Sequence, residues 1–175
     1  IRHMAHHDPL TGLPNRALFW PQFSRALHEA RRENRCVTVA YIDLDNFKQV
    51  NDVLGHAAGD EVLKTLALRM ANSIRATDLI VRLGGDEFAI VFSNAIPDEA
   101  GILRRLRDLR AGLCAPMDVE GVPVHATCSM GVAFFPRDGA TPEELLACAD
   151  RAMYEAKAHG RDTLEVARSG SPLMV

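Results

Sequence analysis

The chain has 175 residues, of which 47% are hydrophobic and 25% charged, a composition typical of one soluble globular domain with a full core. Its formal net charge of -3 provides no global basic field, so we expect no nucleic-acid partner. No apolar run approaches the ~20 residues that cross a bilayer, and no signal peptide is recognisable, so we expect no membrane segment in this fragment.

The amino-terminal residues indicate a fragment of a longer protein, because the chain begins with Ile1 rather than Met. We expect residues 1–7 to be the end of a linker helix that arrives from an upstream domain. Three histidines in this stretch fit polar positions on such a helix better than metal ligands or remnants of a tag; they are His3, His6 and His7. Widely spaced cysteines without a CxxC motif predict reduced thiols in a cytoplasmic protein. They are Cys36, Cys114, Cys128 and Cys148.

Hydrophobic spacing, together with glycine and proline breakers, predicts alternating helices and strands along the chain. Asn15 is the predicted N-cap of the first helix, and Thr141 with Glu144 opens the last one as a capping box. The predicted helices cover 16–32, 46–54, 58–75, 98–113 and 141–158. The predicted strands cover 36–42, 79–81, 88–92, 122–135 and 163–166. We therefore predict a mixed α/β (α+β) fold, with a single central, mostly antiparallel sheet of about five strands flanked by helices.

The stretch between the strands at 79–81 and 88–92 predicts a hairpin with chemistry at its tip. Gly84 and Gly85 suit the tight turn, because glycine reaches positive φ without a Cβ clash. Asp86 and Glu87 follow directly, and adjacent carboxylates suit a hard divalent cation. On this stretch alone, an ordinary hairpin with solvated acids at its tip is the simpler interpretation.

Two further sets of residues could form a binding site together with the acids of this hairpin. Asp43 ends a strongly apolar strand, and it can meet Asp86 if the two strands are neighbours in the sheet. Two carboxylates, a main-chain carbonyl and phosphate oxygens would suit Mg²⁺, although two unrelated surface acids would look the same in sequence. Lys157 and Arg161 bracket the end of the last helix, where they could bind phosphate or simply complement the helix C-terminus.

The motifs together resemble those of one family. Gly84 to Phe88 reads GGDEF, the signature that names the GGDEF family of diguanylate cyclases. The other segments that resemble this family, in order and at its spacing, are 8–16, 43–52, 55–60, 129–133 and 149–157. The resemblance covers residues 8–165, and it implies a GGDEF domain at 8–167 with a tail or linker at 168–175. It also implies a fold like that of nucleotidyl cyclases and polymerase palm domains.

The resemblance implies a bacterial second-messenger enzyme. Members of the family join two GTP molecules into cyclic di-GMP and release two pyrophosphates, acting as homodimers with one GTP in each subunit. Mg²⁺ (or Mn²⁺) would be bound by Asp43, the carbonyl oxygen of Leu44 and Asp86. Asp86 or its neighbour Glu87 is the candidate for accepting the proton of the attacking hydroxyl group.

The same resemblance implies how GTP is bound. Asn51 and Asp60 match the positions that read guanine, and His56 lies in the same segment, where it would line the base or ribose. Backbone N–H groups near Asn46 and Phe47 open a helix and should face phosphate. The implied side-chain contacts to the triphosphate are Lys48, Lys157 and Arg161.

Arg75 and Asp78 form an RxxD motif at the offset of the family's inhibitory site, which binds the product cyclic di-GMP. The sequence departs from the family pattern at three positions that hold no catalytic group: Cys128, Met130 and Asp162. An upstream sensory domain would supply the input signal and help the domain to dimerise.

Two other functions remain open at this level. Many relatives are non-catalytic modules that bind GTP or cyclic di-GMP and control an adjacent domain such as a phosphodiesterase. Their signature is usually degraded, and here it is intact. A generic nucleotidyl-transfer palm domain would share the fold, but the guanine-reading pair Asn51 and Asp60 argues against it.

Overall fold

The computed structural model describes residues 5–94 and 98–168. Of the predicted linker helix at 1–7, Ala5 and His6 are helical, and residues 1–4 lie outside the described part. Most of the predicted tail, residues 169–175, also lies outside it. The predicted domain boundaries therefore stay predictions.

The helices and strands follow the predicted order. The helices are α1 (Arg16–Glu33), α2 (Phe47–Leu54), α3 (His56–Ser73), α4 (Glu99–Leu113) and α5 (Pro142–Ala158). The strands are β1 (Cys36–Leu44), β2 (Leu79–Gly84), β3 (Glu87–Asn94), β4 (Met117–Val119), β5 (Val122–Val124), β6 (Cys128–Phe135) and β7 (Leu164–Val166). Asn15 caps α1 by accepting from Leu18 N–H, and Thr141 caps α5 by accepting from Glu144 N–H. Both predicted N-caps are therefore confirmed.

A five-stranded sheet in the order β2-β3-β1-β6-β7 forms the centre of the domain. All neighbouring pairs are antiparallel except β6 and β7, which run parallel. The prediction of one mostly antiparallel sheet of about five strands is confirmed. Since β1 is central and antiparallel to both neighbours, its C-terminal end lies beside the starts of β3 and β6.

The predicted strand 122–135 is wrong as a single element. Val122–Val124 pairs with Met117–Val119 in a separate two-stranded sheet, and only Cys128–Phe135 joins the central sheet. Pro123 has no N–H to donate, which disfavours a central ladder position. Residues 125–127 then lead the chain back to the sheet, where Thr127 O accepts from Asp45 N–H at 2.8 Å.

Both faces of the sheet are covered. Alternate residues of β1, such as Ala40 and Ile42, pack in one core with α3 and α4, whereas Val39 and Tyr41 pack in a second core with α1 and α5. Burial on both faces explains why β1 reads as a continuous apolar run. At Gly131 a Cβ would collide with the backbone of α5, so this glycine allows close contact between α5 and β6.

Candidate active site

The C-terminal end of β1 brings the two predicted metal-binding carboxylates together. Asp43 pairs in register with Glu87 on one side and with Ser129 on the other. Asp86 precedes β3, and its carbonyl oxygen accepts from Leu44 N–H at 3.3 Å. Burial and the neighbouring Asp86 carboxyl group raise the pKa of Asp43 to about 7, against the opposing effect of Lys157. The two acids therefore form one electrostatically coupled pair.

The oxygens at this edge fit a hard divalent cation. Asp43 Oδ1 is buried, and it has no hydrogen-bond partner among the described residues. Such a buried oxygen is costly unless a cation or a donor compensates it. No group of three or more His, Cys, Asp or Glu side chains in residues 5–94 and 98–168 could hold a metal ion. A cation bound by Asp43, Asp86 and the Leu44 carbonyl would therefore need further oxygen ligands, as phosphates would supply.

Lys157 lies closer to these acids than its predicted role implies. Its Nζ is 3.1 Å from Asp43 Oδ2 and donates to the carbonyl oxygen of Leu44 at 3.2 Å. The ammonium group thus contacts two of the three groups that were predicted to bind metal. To contact a phosphate, Lys157 would have to exchange at least one of these partners.

Asp45 is a buried carboxylate whose importance was missed from the sequence. Its Oδ2 accepts from the Thr127 hydroxyl at 2.7 Å and from Asp162 N–H at 2.9 Å, and its Oδ1 accepts from the Ser129 hydroxyl at 2.6 Å. Lys157 Nζ lies 3.6 Å from Oδ1. Asp45 thereby joins β1, the start of β6 and the loop after α5. The only sequence signal for this role was its position two residues after Asp43.

Arg82 supports the glycine turn of the signature. Its guanidinium group donates to the carbonyl oxygen of Gly85 at 3.0 and 2.7 Å, and it pairs with Asp8 at 3.0 Å. Gly84 and Gly85 have φ of 150° and 52°, so the turn requires the backbone freedom that was predicted for it. Burial by itself raises the pKa of Asp8, but its hydrogen bonds from Thr11 and the nearby Arg82 outweigh burial and hold this pKa below its ordinary value.

Glu87, the second predicted catalytic residue, has a different neighbourhood from Asp86. Its Oε2 accepts from the Tyr41 hydroxyl at 2.9 Å. Burial and then Glu87 raise the pKa of the Tyr41 hydroxyl, and burial followed by Glu87 also raises the pKa of Asp150. Of the two adjacent acids, Asp86 is therefore the one coupled to Asp43.

The predicted nucleotide-binding residues lie at the start of α2 and along it, on α3, at the end of α5 and in the loop that follows α5. Asn46 precedes α2 with a φ of 57°, and Gly55 separates α2 from α3. A Cβ at Gly59 would collide with the Asn51 side chain, so this glycine lets α3 lie close to Asn51 of α2. Phe47 and Asn51 are half-buried. The exposed members of the predicted set are Asn46, Lys48, His56, Asp60 and Arg161.

The RxxD motif forms a compact turn between α3 and β2. The buried Asp78 carboxylate accepts from Arg75 N–H at 2.9 Å and pairs with Arg105 at 3.1 Å. Arg75 itself is exposed. Arg105, on α4, is a second residue that was missed from the sequence, because only tertiary packing brings it to this turn.

A carboxylate at the end of a central strand, coupled to a second carboxylate on the neighbouring hairpin and close to a helix start and basic side chains, suits metal-dependent phosphoryl transfer. The family model described as diguanylate cyclase, GGDEF domain, matches residues 5–163. The chain therefore belongs to the GGDEF domain family, as its signature predicted.

Curated and solved relatives agree with this assignment. The diguanylate cyclase TpbB of Pseudomonas aeruginosa is 42% identical over 98% of this chain, which spans only 40% of that protein. A structure comprising only the GGDEF domain of TpbB superposes with a TM-score of 0.89 at 43% identity, covering 93% of this chain and 95% of that one.

Two other relatives are described by different activities, one as a GGDEF domain that binds c-di-GMP and one as a phosphodiesterase. The GGDEF domain of DgcB from Caulobacter crescentus was solved in complex with c-di-GMP; it superposes with a TM-score of 0.86 at 28% identity, covering 95% and 98% of the two chains. The cyclic di-GMP phosphodiesterase NbdA of Pseudomonas aeruginosa is 37% identical over 94% of this chain and 21% of its own length.

No helix in the described part of the chain is long and apolar enough to cross a membrane.

Proposed function

We propose that this domain condenses two molecules of GTP into cyclic di-GMP and releases two molecules of pyrophosphate. The observation that carries this proposal is the electrostatically coupled pair Asp43 and Asp86, together with the Leu44 carbonyl oxygen, which accepts from the same Lys157 ammonium group that pairs with Asp43. This set of oxygens suits a cation that binds triphosphate, and the family relationship supports a cyclase. The fragment would act in the cytoplasm as part of a longer bacterial signalling protein.

Asp43, the Leu44 carbonyl and Asp86 would bind Mg²⁺ or Mn²⁺. When bound, such a cation offsets phosphate charge and favours deprotonation of the attacking 3′-hydroxyl group. Asp86 is the better candidate for accepting that proton, because the Glu87 carboxylate already accepts a hydrogen bond from Tyr41. Glu87 would then act by holding the strand that carries Asp86.

Binding of GTP would use both ends of α2 and the end of α5. Backbone N–H groups at Asn46 and Phe47 would face phosphate, together with the side chains of Lys48, Lys157 and Arg161. Lys157 would exchange its contacts with Asp43 and Leu44 for phosphate oxygens, and Asp45 would hold the loop that carries Arg161.

Guanine would be read by Asn51 and Asp60, with His56 beside the base or ribose. A carboxylate can accept from both N1–H and the 2-amino group of guanine. Adenine has neither donor, and the Asp60 carboxylate would be left unpaired.

The reaction requires two GTP molecules, so we propose a homodimer with one GTP in each subunit, promoted by an upstream sensory domain. Cyclic di-GMP would inhibit the enzyme at Arg75 and Asp78. The exposed Arg75 can bind phosphate or a guanine edge, and Arg105 adds a second cation at the same turn.

The test is to incubate the chain with GTP and Mg²⁺ at several protein concentrations and to separate the products by chromatography. We expect cyclic di-GMP, with a specific activity that rises with protein concentration, and no product from Asp86→Asn. Asp108→Asn changes an exposed acid on α4 and should behave like the native chain. An Asp86→Asn variant that keeps most of the activity would refute the site assignment.

A non-catalytic regulatory module is the second candidate, because the phosphodiesterase NbdA contains a matching segment. In that case the chain would bind GTP or cyclic di-GMP and control an adjacent domain. A dimeric coiled coil fused to the amino terminus separates the candidates. Product from the enforced dimer supports the cyclase, whereas GTP binding without any turnover supports the regulatory module.

A further inference from the structure

Two cysteines on different secondary-structure elements have their thiols in contact. Cys114 is the C-cap of α4, and Cys128 is the first residue of β6. Their Sγ atoms lie 3.6 Å apart. This is van der Waals contact between sulfur atoms, so the pair needs only a further approach of about 1.5 Å to reach the ~2.05 Å of a disulfide bond.

The backbone around Cys114 is held in place by Arg69 of α3. Arg69 donates to the carbonyl oxygens of Leu113 at 3.2 Å, Ala115 at 2.6 Å and Pro116 at 3.0 Å. These bonds bracket Cys114 on both sides and hold the end of α4 against α3. The contact between the thiols is therefore a property of the packed fold.

The two thiols differ in accessibility. Cys114 is half-buried, whereas Cys128 is fully buried. The hydrogen bond with Cys128 and the nearby guanidinium of Arg110 together lower the pKa of Cys114 to about 7, against the opposing effect of burial. A reagent from solvent would meet Cys114 first, in the thiolate form that reacts.

We propose that Cys114 and Cys128 form a site of reversible oxidative modification, with a small peroxide as the oxidant. The Cys114 sulfur attacks one oxygen of the peroxide, the O–O bond breaks, and a sulfenic acid forms with release of water. The Cys128 thiol then attacks that sulfur and the hydroxyl leaves as a second water. In total, two thiols and one hydrogen peroxide give one disulfide and two waters, and the peroxide takes up both electrons.

The disulfide would close directly behind the candidate active site. Cys128 lies between Thr127 and Ser129, whose hydroxyl groups both donate to Asp45. Arg110, one turn before Cys114, pairs with Asp162, whose N–H also donates to Asp45. The modification would therefore tie the end of α4 to the strand that holds this buried carboxylate.

The test treats the native chain with hydrogen peroxide, alkylates the remaining thiols and analyses tryptic peptides by mass spectrometry. Cleavage after Arg110 and Arg137 releases Cys114 and Cys128 in a single peptide. We expect this peptide to escape alkylation and to be lighter by two hydrogens, and dithiothreitol should restore both thiols. Cys36 and Cys148, which are also half-buried, should remain alkylatable and serve as internal controls.

Two variants test the order of the steps. Cys128→Ala should leave a sulfenic acid on Cys114 that dimedone traps, and Cys114→Ser should leave Cys128 unreacted because it is buried. The proposal is overturned if the peptide stays fully alkylatable, if Cys114 pairs with another cysteine, or if Cys36 and Cys148 oxidise first. The peptide experiment on the native chain decides the proposal by itself, so the proposal can be refuted even if a variant folds poorly.

Discussion

Replacement of Asp45 by Asn tests whether this buried carboxylate organises the site. The Asp45 side chain is 1% exposed and receives hydrogen bonds from Thr127, Ser129 and Asp162. In Asn, one carboxylate oxygen becomes an NH₂ donor. The Ser129 hydroxyl can rotate to accept from it, but the N–H of Asp162 cannot reverse. The best orientation therefore places the NH₂ group towards Ser129, where the Lys157 ammonium lies 3.6 Å from the original oxygen.

The expected cost follows from these contacts. A hydrogen bond to a charged group contributes about 1 kcal/mol more than a neutral one, so three such bonds weaken by about 3 kcal/mol in total. Loss of the Lys157 contact adds to this value, and relief of the buried charge offsets part of it. We expect Asp45→Asn to lower the free energy of unfolding by about 3 kcal/mol, which lowers the melting temperature by roughly 6–12 °C in a domain of this size.

The assay is urea or thermal denaturation of Asp45→Asn beside Asp108→Asn, an exposed control that should change stability by less than about 0.5 kcal/mol. A double-mutant cycle with Thr127→Val isolates one bond, and we expect a coupling energy of about 1 kcal/mol. The variant should also bind GTP more weakly, since the loop with Arg161 loses its support. An Asp45→Asn chain within about 0.5 kcal/mol of native stability, with no coupling to Thr127, would refute the reasoning.

Three further predictions concern other parts of the site. Asp8→Asn should lose about 1 kcal/mol of stability at neutral pH, because the Thr11 and Arg82 contacts outweigh burial and hold the Asp8 pKa below its ordinary value. A carboxyl group whose pKa is depressed in the folded chain adds stability above its unfolded-state pKa, so the difference from the native chain should disappear as pH falls through the folded-state pKa of Asp8. Lys157→Met should weaken GTP binding about tenfold by calorimetry, since one ammonium–phosphate contact is lost. Arg75→Ala should keep the initial rate of cyclic di-GMP synthesis and lose inhibition by added product.

The lysine and arginine variants each have a matched control, and all three predictions have a clear contrary result. Lys64→Met changes an exposed lysine on α3 and should leave GTP affinity unchanged; equal affinities for both lysine variants would mean that Lys157 stays on Asp43 and Leu44. Arg104→Ala changes an exposed arginine on α4 and should still be inhibited by cyclic di-GMP. If Arg75→Ala is inhibited to the same extent, the product does not bind at the turn that contains Arg75. A constant stability difference between Asp8→Asn and the native chain across the acid range would contradict the charge argument.

Local patterns in the sequence predicted much of this domain. Capping residues and apolar spacing predicted the helices, since these signals act within a few residues. The single strand predicted at 122–135 was wrong because the sequence has strand-forming residues on both sides of Pro123. Such a local preference does not show where the chain leaves one sheet and enters another. The sequence left open whether Asp43 and Asp86 meet, because that depends on which strands are neighbours; the pairing of β1 with β3 brings them together.

By itself, the sequence determined the family, the order of the helices and strands, and the chemical types at the site, because motif spacing and periodicity are local properties. Only the tertiary structure decided that Asp45 unites three segments, that Arg82 reaches Asp8, that Arg105 meets Asp78 and that two thiols touch. The first three contacts join residues 82, 74 and 27 positions apart. Partners at such separations are selected by how the helices and strands pack, and no local pattern in the sequence specifies that packing.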